Sequence, residues 1–179
     1  MKPLVPCLLA LSFVSAAPPA AAQTTTLWQS GPLGRWSVTA ARDQAGNNFC
    51  YMSNLSGGSG MGYAVYAGGS MRIVLTHPEW NITPGAQARI TMRIDHYPSW
   101  TMNAKRAVDS ASSIIVDARF DDPAVRFLNE IRLGNWLYII FPNGQSYQVS
   151  LEGSNAAVHQ LYYCNRSYVF GQSQNPLQN

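Results

Sequence analysis

The sequence predicts a mainly β chain: an antiparallel β-sandwich or partly closed barrel with one covering helix and a C-terminal helix. Three observations carry this. Apolar and polar residues alternate with a period of two in several short runs, as in half-buried strands. Turn residues punctuate those runs at short intervals. The period then becomes helical in one internal segment and again near the C-terminus. Charged residues are only 12% of the 179-residue chain, about half the usual share. Apolar residues are 46%, too many for a disordered chain.

The elements follow in order. Residues 23–34 read as a polar lead-in containing Gly and Pro. Trp36 to Ala40 alternates as a strand, and Asp43-Gln44-Ala45-Gly46 turns it. Phe49 to Met52 reads as the next strand and carries Cys50. Ser56 to Gly60 is a Gly-rich turn. Tyr63–Tyr66 and Met71–Leu75 form a hairpin across Ala67-Gly68-Gly69-Ser70. Ala88 to Ile94 is the clearest strand, with Ala88, Ile90, Met92 and Ile94 facing inward. A turn through His96-Tyr97-Pro98-Ser99 leads to a strand from Trp100 to Arg106, and Ser113 to Ala118 is another.

The period then changes. Asp122 before Pro123 reads as an N-cap with Pro at the first helical position. Ala124, Phe127, Leu128 and Ile131 share a helical face, and Gly134 reads as a left-handed stop. Trp136 to Phe141 is apolar on both faces, as expected of a central strand buried on both sides. After Pro142-Asn143-Gly144, Tyr147, Val149 and Leu151 alternate with polar residues. Ser154 reads as the cap of a last helix, on which Ala157, Leu161 and Cys164 share the core face. The expected organisation is a leader over residues 1–22, one β-rich domain over 23–170 and a polar tail over 171–179.

The leader rests on Lys2, the apolar run from Leu4 to Val14 and the small-residue exit Ala20-Ala21-Ala22. These are the parts of a secretory signal peptide, and the run is too short to span a bilayer. The expected location is therefore periplasmic or secreted. Cleavage removes Cys7 and leaves Cys50 and Cys164 in an oxidising compartment, where a disulfide is favoured over two free buried thiols. A catalytic thiol calls for a neighbouring His or a Cys-x-x-Cys spacing, and neither is present.

Loss of Lys2 takes the formal charge from +3 to +2. The remaining Arg residues are scattered, which argues against a nucleic-acid partner. His77, His96 and His159 show no metal-ligand spacing. Asp121-Asp122 is the only adjacent carboxylate pair, and its place ahead of a helix favours capping over glycoside chemistry. Asp95 and His96 lack a nucleophile motif to complete a triad. The Gly-rich turn lacks the Lys and helix of a phosphate loop. Three Asn-x-Ser/Thr triplets, at Asn54, Asn81 and Asn165, read as chance matches. No cofactor and no metal are expected. Trp80, Tyr97 and Trp100 fall at or near turns and form the candidate binding surface for protein or sugar.

The last third carries a family likeness. Val125 to Gly134, an apolar strand, then Val149-Ser150-Leu151-Glu152-Gly153-Ser154-Asn155-Ala156-Ala157 and a short helix to Cys164 stand in a characteristic order. With the early Trp36-Ser37-Val38 strand, this resembles the invasion-associated locus B-like small exported proteins of alphaproteobacteria. The likeness implies an exported β-rich protein associated with host-cell invasion, and it carries over no catalytic residues. The expected role is a non-enzymatic binding or accessory protein of the cell envelope, its partner an envelope protein or other envelope component. A periplasmic inhibitor or immunity-type protein that blocks a hydrolase is the first alternative. An enzyme with a site scattered over loops is the second. The mature chain is expected to begin at Gln23; N-terminal mass analysis of the exported protein checks this, and retention of Met1 overturns it.

Overall fold

The computed structural model describes residues 24–56 and 58–171. The expected leader with Cys7, Gly57 of the Gly-rich turn and residues 172–179 of the expected tail lie outside the described residues. The strands are β1 (Thr25–Gln29), β2 (Ser37–Arg42), β3 (Asn48–Ser56), β4 (Ser59–Tyr66), β5 (Ser70–Thr76), β6 (Gln87–Ile94), β7 (Trp100–Arg106), β8 (Ser113–Arg119), β9 (Trp136–Ile140) and β10 (Ser146–Ser150). Helix α1 (Asp122–Leu133) precedes β9, and helix α2 (Ser154–Cys164) follows β10 and runs on into a π-helical turn at Asn165–Val169.

All ten strands belong to one antiparallel sheet, in the order β1-β2-β3-β4-β5-β8-β7-β6-β9-β10. The first five form a meander. The next three return in reverse, so β8 lies against β5 and β6 against β9. The sheet curls without closing. Near its two ends, the Asn54 side chain on β3 donates to the Ser150 carbonyl on β10 at 2.8 Å. The inner face carries Val38, Met52, Tyr63, Ile73, Ile90 and Leu137, all buried. Helix α1 covers it with Phe127, Leu128 and Ile131, and α2 with Ala157, Val158 and Leu161. The expected β fold with a covering and a C-terminal helix is therefore present, in its partly closed form. Among the described residues, no helix is long and apolar enough to cross a membrane.

Several local expectations are corrected. The lead-in contains a strand, β1, whose Leu27 and Trp28 pack against the core. Asp121, not Asp122, caps α1: it is extended, and its Oδ1 accepts from the Ala124 N–H at 3.3 Å. Asp122 then sits in the first turn, where a negative charge suits the helix dipole. Gly134 is not left-handed, with φ −86° and ψ 166°. Its reason is space, because a Cβ there would clash with Ile94 Cγ2. Strand β9 buries one face only. Leu137 and Ile139 point into the core, while Trp136 is 43% exposed, because among the described residues no second layer covers the outer side. Ser154 makes no cap; Gly153 starts the helix with φ 84°. The Ser154 hydroxyl instead donates to the Ile131 carbonyl at 2.7 Å, locking α2 onto α1.

Cys50 and Cys164 are bonded, with their Cα atoms 6.0 Å apart. Cys50 lies within β3, opposite Ala40 on one side and Val65 on the other. Cys164 is the last residue of α2, and both cysteines are fully buried. The bond therefore fixes the helix to the middle of the sheet. It closes a loop of 114 residues, for which chain-entropy estimates run to about 4–5 kcal/mol. Cys164→Ala should lower unfolding stability by about 2–5 kcal/mol. Urea denaturation of the oxidised parent and the variant reads this directly; equal midpoints would show that the bond does not anchor the helix.

Candidate functional site

The ladder between β7 and β8 stops early. It contains only Lys105↔Ile115 and Arg106↔Ile114. On its other side β7 pairs with β6 as far as Met92↔Trp100, and β8 pairs with β5 as far as Ser70↔Arg119. Trp100–Ala104 and Val116–Arg119 thus have a strand partner on one side only. Alternate residues of an antiparallel strand direct their N–H and C=O to opposite neighbours. Each facing edge therefore offers main-chain donors and acceptors that the ladder leaves unused. A cleft of about 320 Å³ occupies the gap, with the first turn of α1 at its inner mouth.

The floor is apolar and belongs to the inner face: Met71, Met102, Val116, Trp100 and Phe127. The rim is polar and belongs to the outer face: Asn103, Asp117 and Arg119, with Asp121 at the helix start. Most of the rim charge is already used. Asp117 accepts from Arg72 Nε at 2.6 Å and from Lys105 Nζ at 2.9 Å. The Arg72 guanidinium holds its carboxyl below the usual carboxylate range. Asp121 is spent on the cap. Among the described residues, no ion pair engages Arg119. The cleft thus joins an apolar floor, unpaired strand edges and one free guanidinium, a set that favours a ligand with apolar groups and carbonyl or carboxylate acceptors.

Trp100 holds one wall in place. Its indole N–H donates to Glu130 Oε2 at 2.6 Å, and its ring meets Phe127 edge-on at 5.5 Å. Glu130 is only 6% exposed, and its other oxygen accepts from Arg126 Nε at 3.1 Å. The Arg126 guanidinium lies 5.0 Å over the Trp100 ring. Helix α1 and β7 are thereby joined through one buried, doubly hydrogen-bonded carboxylate. Below the cleft, the buried Tyr63 hydroxyl donates to Met71 Sδ at 3.0 Å, and burial pushes its ionisation far above the usual tyrosine range.

The three aromatic residues expected to form one surface are distributed. Trp100 lines the cleft. Tyr97 lies on the other side of α1, stacked on His96 at 4.8 Å, beside a shallow hollow lined with Pro98, Val125 and Leu133. Trp80 packs at the far end of β9, against Phe141 and Tyr147. So Tyr97 and Trp100 flank one helix, and Trp80 belongs elsewhere. Asp95 is not free for chemistry: it sits at φ 41°, and its carboxylate accepts from the Asn135 and Trp136 N–H groups at 2.7 and 3.0 Å. His159 is exposed on α2. Asn54 and Asn165 are buried, which removes two of the three glycosylation triplets. Among the described residues, no group of three or more His, Cys, Asp or Glu is placed to hold a metal ion.

Sequence reasoning missed Asn103, Asp117 and Arg119, because polar residues on the outer face of a strand look like ordinary solvated positions. The available signal was the end of the apolar run at Asp117, two residues before the strand itself ends. No family model, curated protein or solved structure matches the chain. Replacing Trp100→Phe keeps a ring on Phe127 but strips Glu130 of its indole donor. The expected loss is about 1.5–3 kcal/mol, as for a hydrogen bond to a charged group. A urea midpoint shift with unchanged slope checks it; no shift would mean that water replaces the indole without cost.

Proposed function

We propose that this chain is an exported, non-enzymatic binding or accessory protein of the cell envelope, and that the β7–β8 cleft holds an extended segment of an envelope partner. One observation carries the reading: two strand edges face each other across a gap with their main-chain groups unused. An extended peptide offers matching N–H and C=O groups on both sides, as in strand addition. Its side chains alternate between faces. One set would enter the apolar floor of Met71, Met102 and Val116; the other would lie outside, beside Asn103 and Arg119. The five residues of β7 without a β8 partner, Trp100 to Ala104, set the length at about five residues, near 3.3 Å each.

The location is supported by the Cys50–Cys164 bond, which suits an oxidising compartment. It also follows the leader and the resemblance to invasion-associated locus B-like proteins described above. Amide hydrogen exchange tests the mechanism. Cleft-facing amides of Trp100–Ala104 and Val116–Arg119 should exchange faster than the paired amides of β4. A photo-crosslinker at Asn103, but not one at His159, should trap a defined partner segment in intact cells. In that complex the cleft amides should become protected. A trapped partner that leaves their exchange unchanged would overturn strand addition.

A further inference from the structure

A third pocket lies at the opposite end of β9 from Tyr97. It has a volume of about 250 Å³ and is lined by Trp80, Phe141 and Tyr147 together with Glu79, Asn81 and Gln145. We propose that it is a subsite for a single neutral pyranose ring. Three features converge. First, aromatic rings are held in place around the pocket: Trp80 meets Tyr147 edge-on at 5.2 Å and Phe141 edge-on at 5.4 Å, and His77 lies 4.7 Å from Tyr147. Trp80 and Tyr147 are each partly exposed. The apolar C–H face of a sugar ring packs on such a surface.

Second, the polar side chains around these rings are all planar. Glu79, Asn81 and Gln145 are exposed, and a carboxylate or an amide can engage two adjacent hydroxyls at once. Gln145 spends its Oε1 on Asn143 Nδ2 at 2.8 Å, which leaves its two amide hydrogens to donate. Among the described residues, Glu79 is the one charged group in the lining, so a neutral or amine-bearing sugar suits the pocket and an acidic one does not. Third, the loop is fixed before any ligand arrives. The His77 N–H donates to the Ser112 carbonyl at 3.0 Å, Trp80 N–H to His77 at 3.1 Å and Ile82 N–H to Ala111 at 2.9 Å. A fixed loop lowers the ordering cost of binding. The volume lies below the range of about 300–1,000 Å³ usual for drug-sized ligands, which fits one ring rather than several.

The test uses the full disulfide-bonded chain, labelled with ¹⁵N and titrated with N-acetylglucosamine, glucose and their oligomers to about 10 mM, because single-ring affinities are near-millimolar. The Trp80 indole signal, assigned from the spectrum of Trp80→Phe, should move and saturate. Saturation by a monomer marks a free sugar as ligand, and saturation by oligomers alone marks a glycan end. Asn81→Ala and Gln145→Ala alter exposed side chains only; each should weaken binding about tenfold with an unchanged melting curve. No movement with any of these sugars overturns the subsite. So does movement with the same affinity in both variants.

Discussion

Among the described residues the ten-stranded sheet has no second sheet against it and must cover its own apolar face, and the Cys50–Cys164 bond fixes how this is done. The bond pins the end of α2 to the middle of β3. From there the order propagates by direct contact. Ser154, at the other end of α2, holds the Ile131 carbonyl of α1. Trp36 ties β2 to the turn before α2 through its indole N–H and the Glu152 carbonyl at 3.0 Å. Helix α1 in turn reaches β7 through Glu130 and Trp100. The two helices therefore act as one lid, bonded covalently at one end and hydrogen-bonded at the other. A lid set this way cannot slide along the sheet without breaking a buried contact.

The same lid lies where the sheet opens. The first turn of α1 stands at the inner mouth of the split, and further along the helix Phe127 meets Trp100 edge-on. The β7–β8 ladder ends at Lys105, and the Lys105–Asp117 ion pair marks the closed end of the split. Leaving main-chain groups unpaired has a cost of about 1–3 kcal/mol for each one kept from water. Here the rim is open to solvent, so water meets much of that need. A ligand that displaces the water must return the same hydrogen bonds, which is the physical basis for preferring an extended chain over a purely apolar occupant.

What could be read from the sequence was local. Alternation in β6 showed its buried set directly, because Ile90, Met92 and Ile94 all face the core. The helical spacing of Phe127, Leu128 and Ile131 did the same for α1. The disulfide followed from the expected compartment and the cysteine count. Strand β1 was hidden because its two apolar residues, Leu27 and Trp28, are adjacent rather than alternating, and a register shift between Thr26 and Trp28 absorbs the irregularity. Strand β9 looked doubly buried because hydropathy does not separate a packed side chain from an aromatic one lying half-exposed on an open face. Gly134 looked like a helix stop when its constraint is the nearby Ile94 side chain. That contact comes from a strand forty residues earlier, and no local pattern records it.

The cleft was illegible for a further reason. Its walls are set by which strands become neighbours, and β5–β8 and β6–β9 are not consecutive in the chain. Hairpin logic predicts β7 beside β8, which is correct, but it also predicts a full ladder between them. The truncated ladder stands beside a helix that follows β8 and folds back on the start of β7. Trp100 shows the consequence. As a lone residue at a turn it reads as an exposed anchor. In the fold its indole N–H is committed to a buried carboxylate while one side of its ring lines the cleft. A side chain held in that way offers a wall that needs no ordering when an occupant enters. What the fold gives it is rigidity, and rigidity is invisible until the partners that impose it are in place.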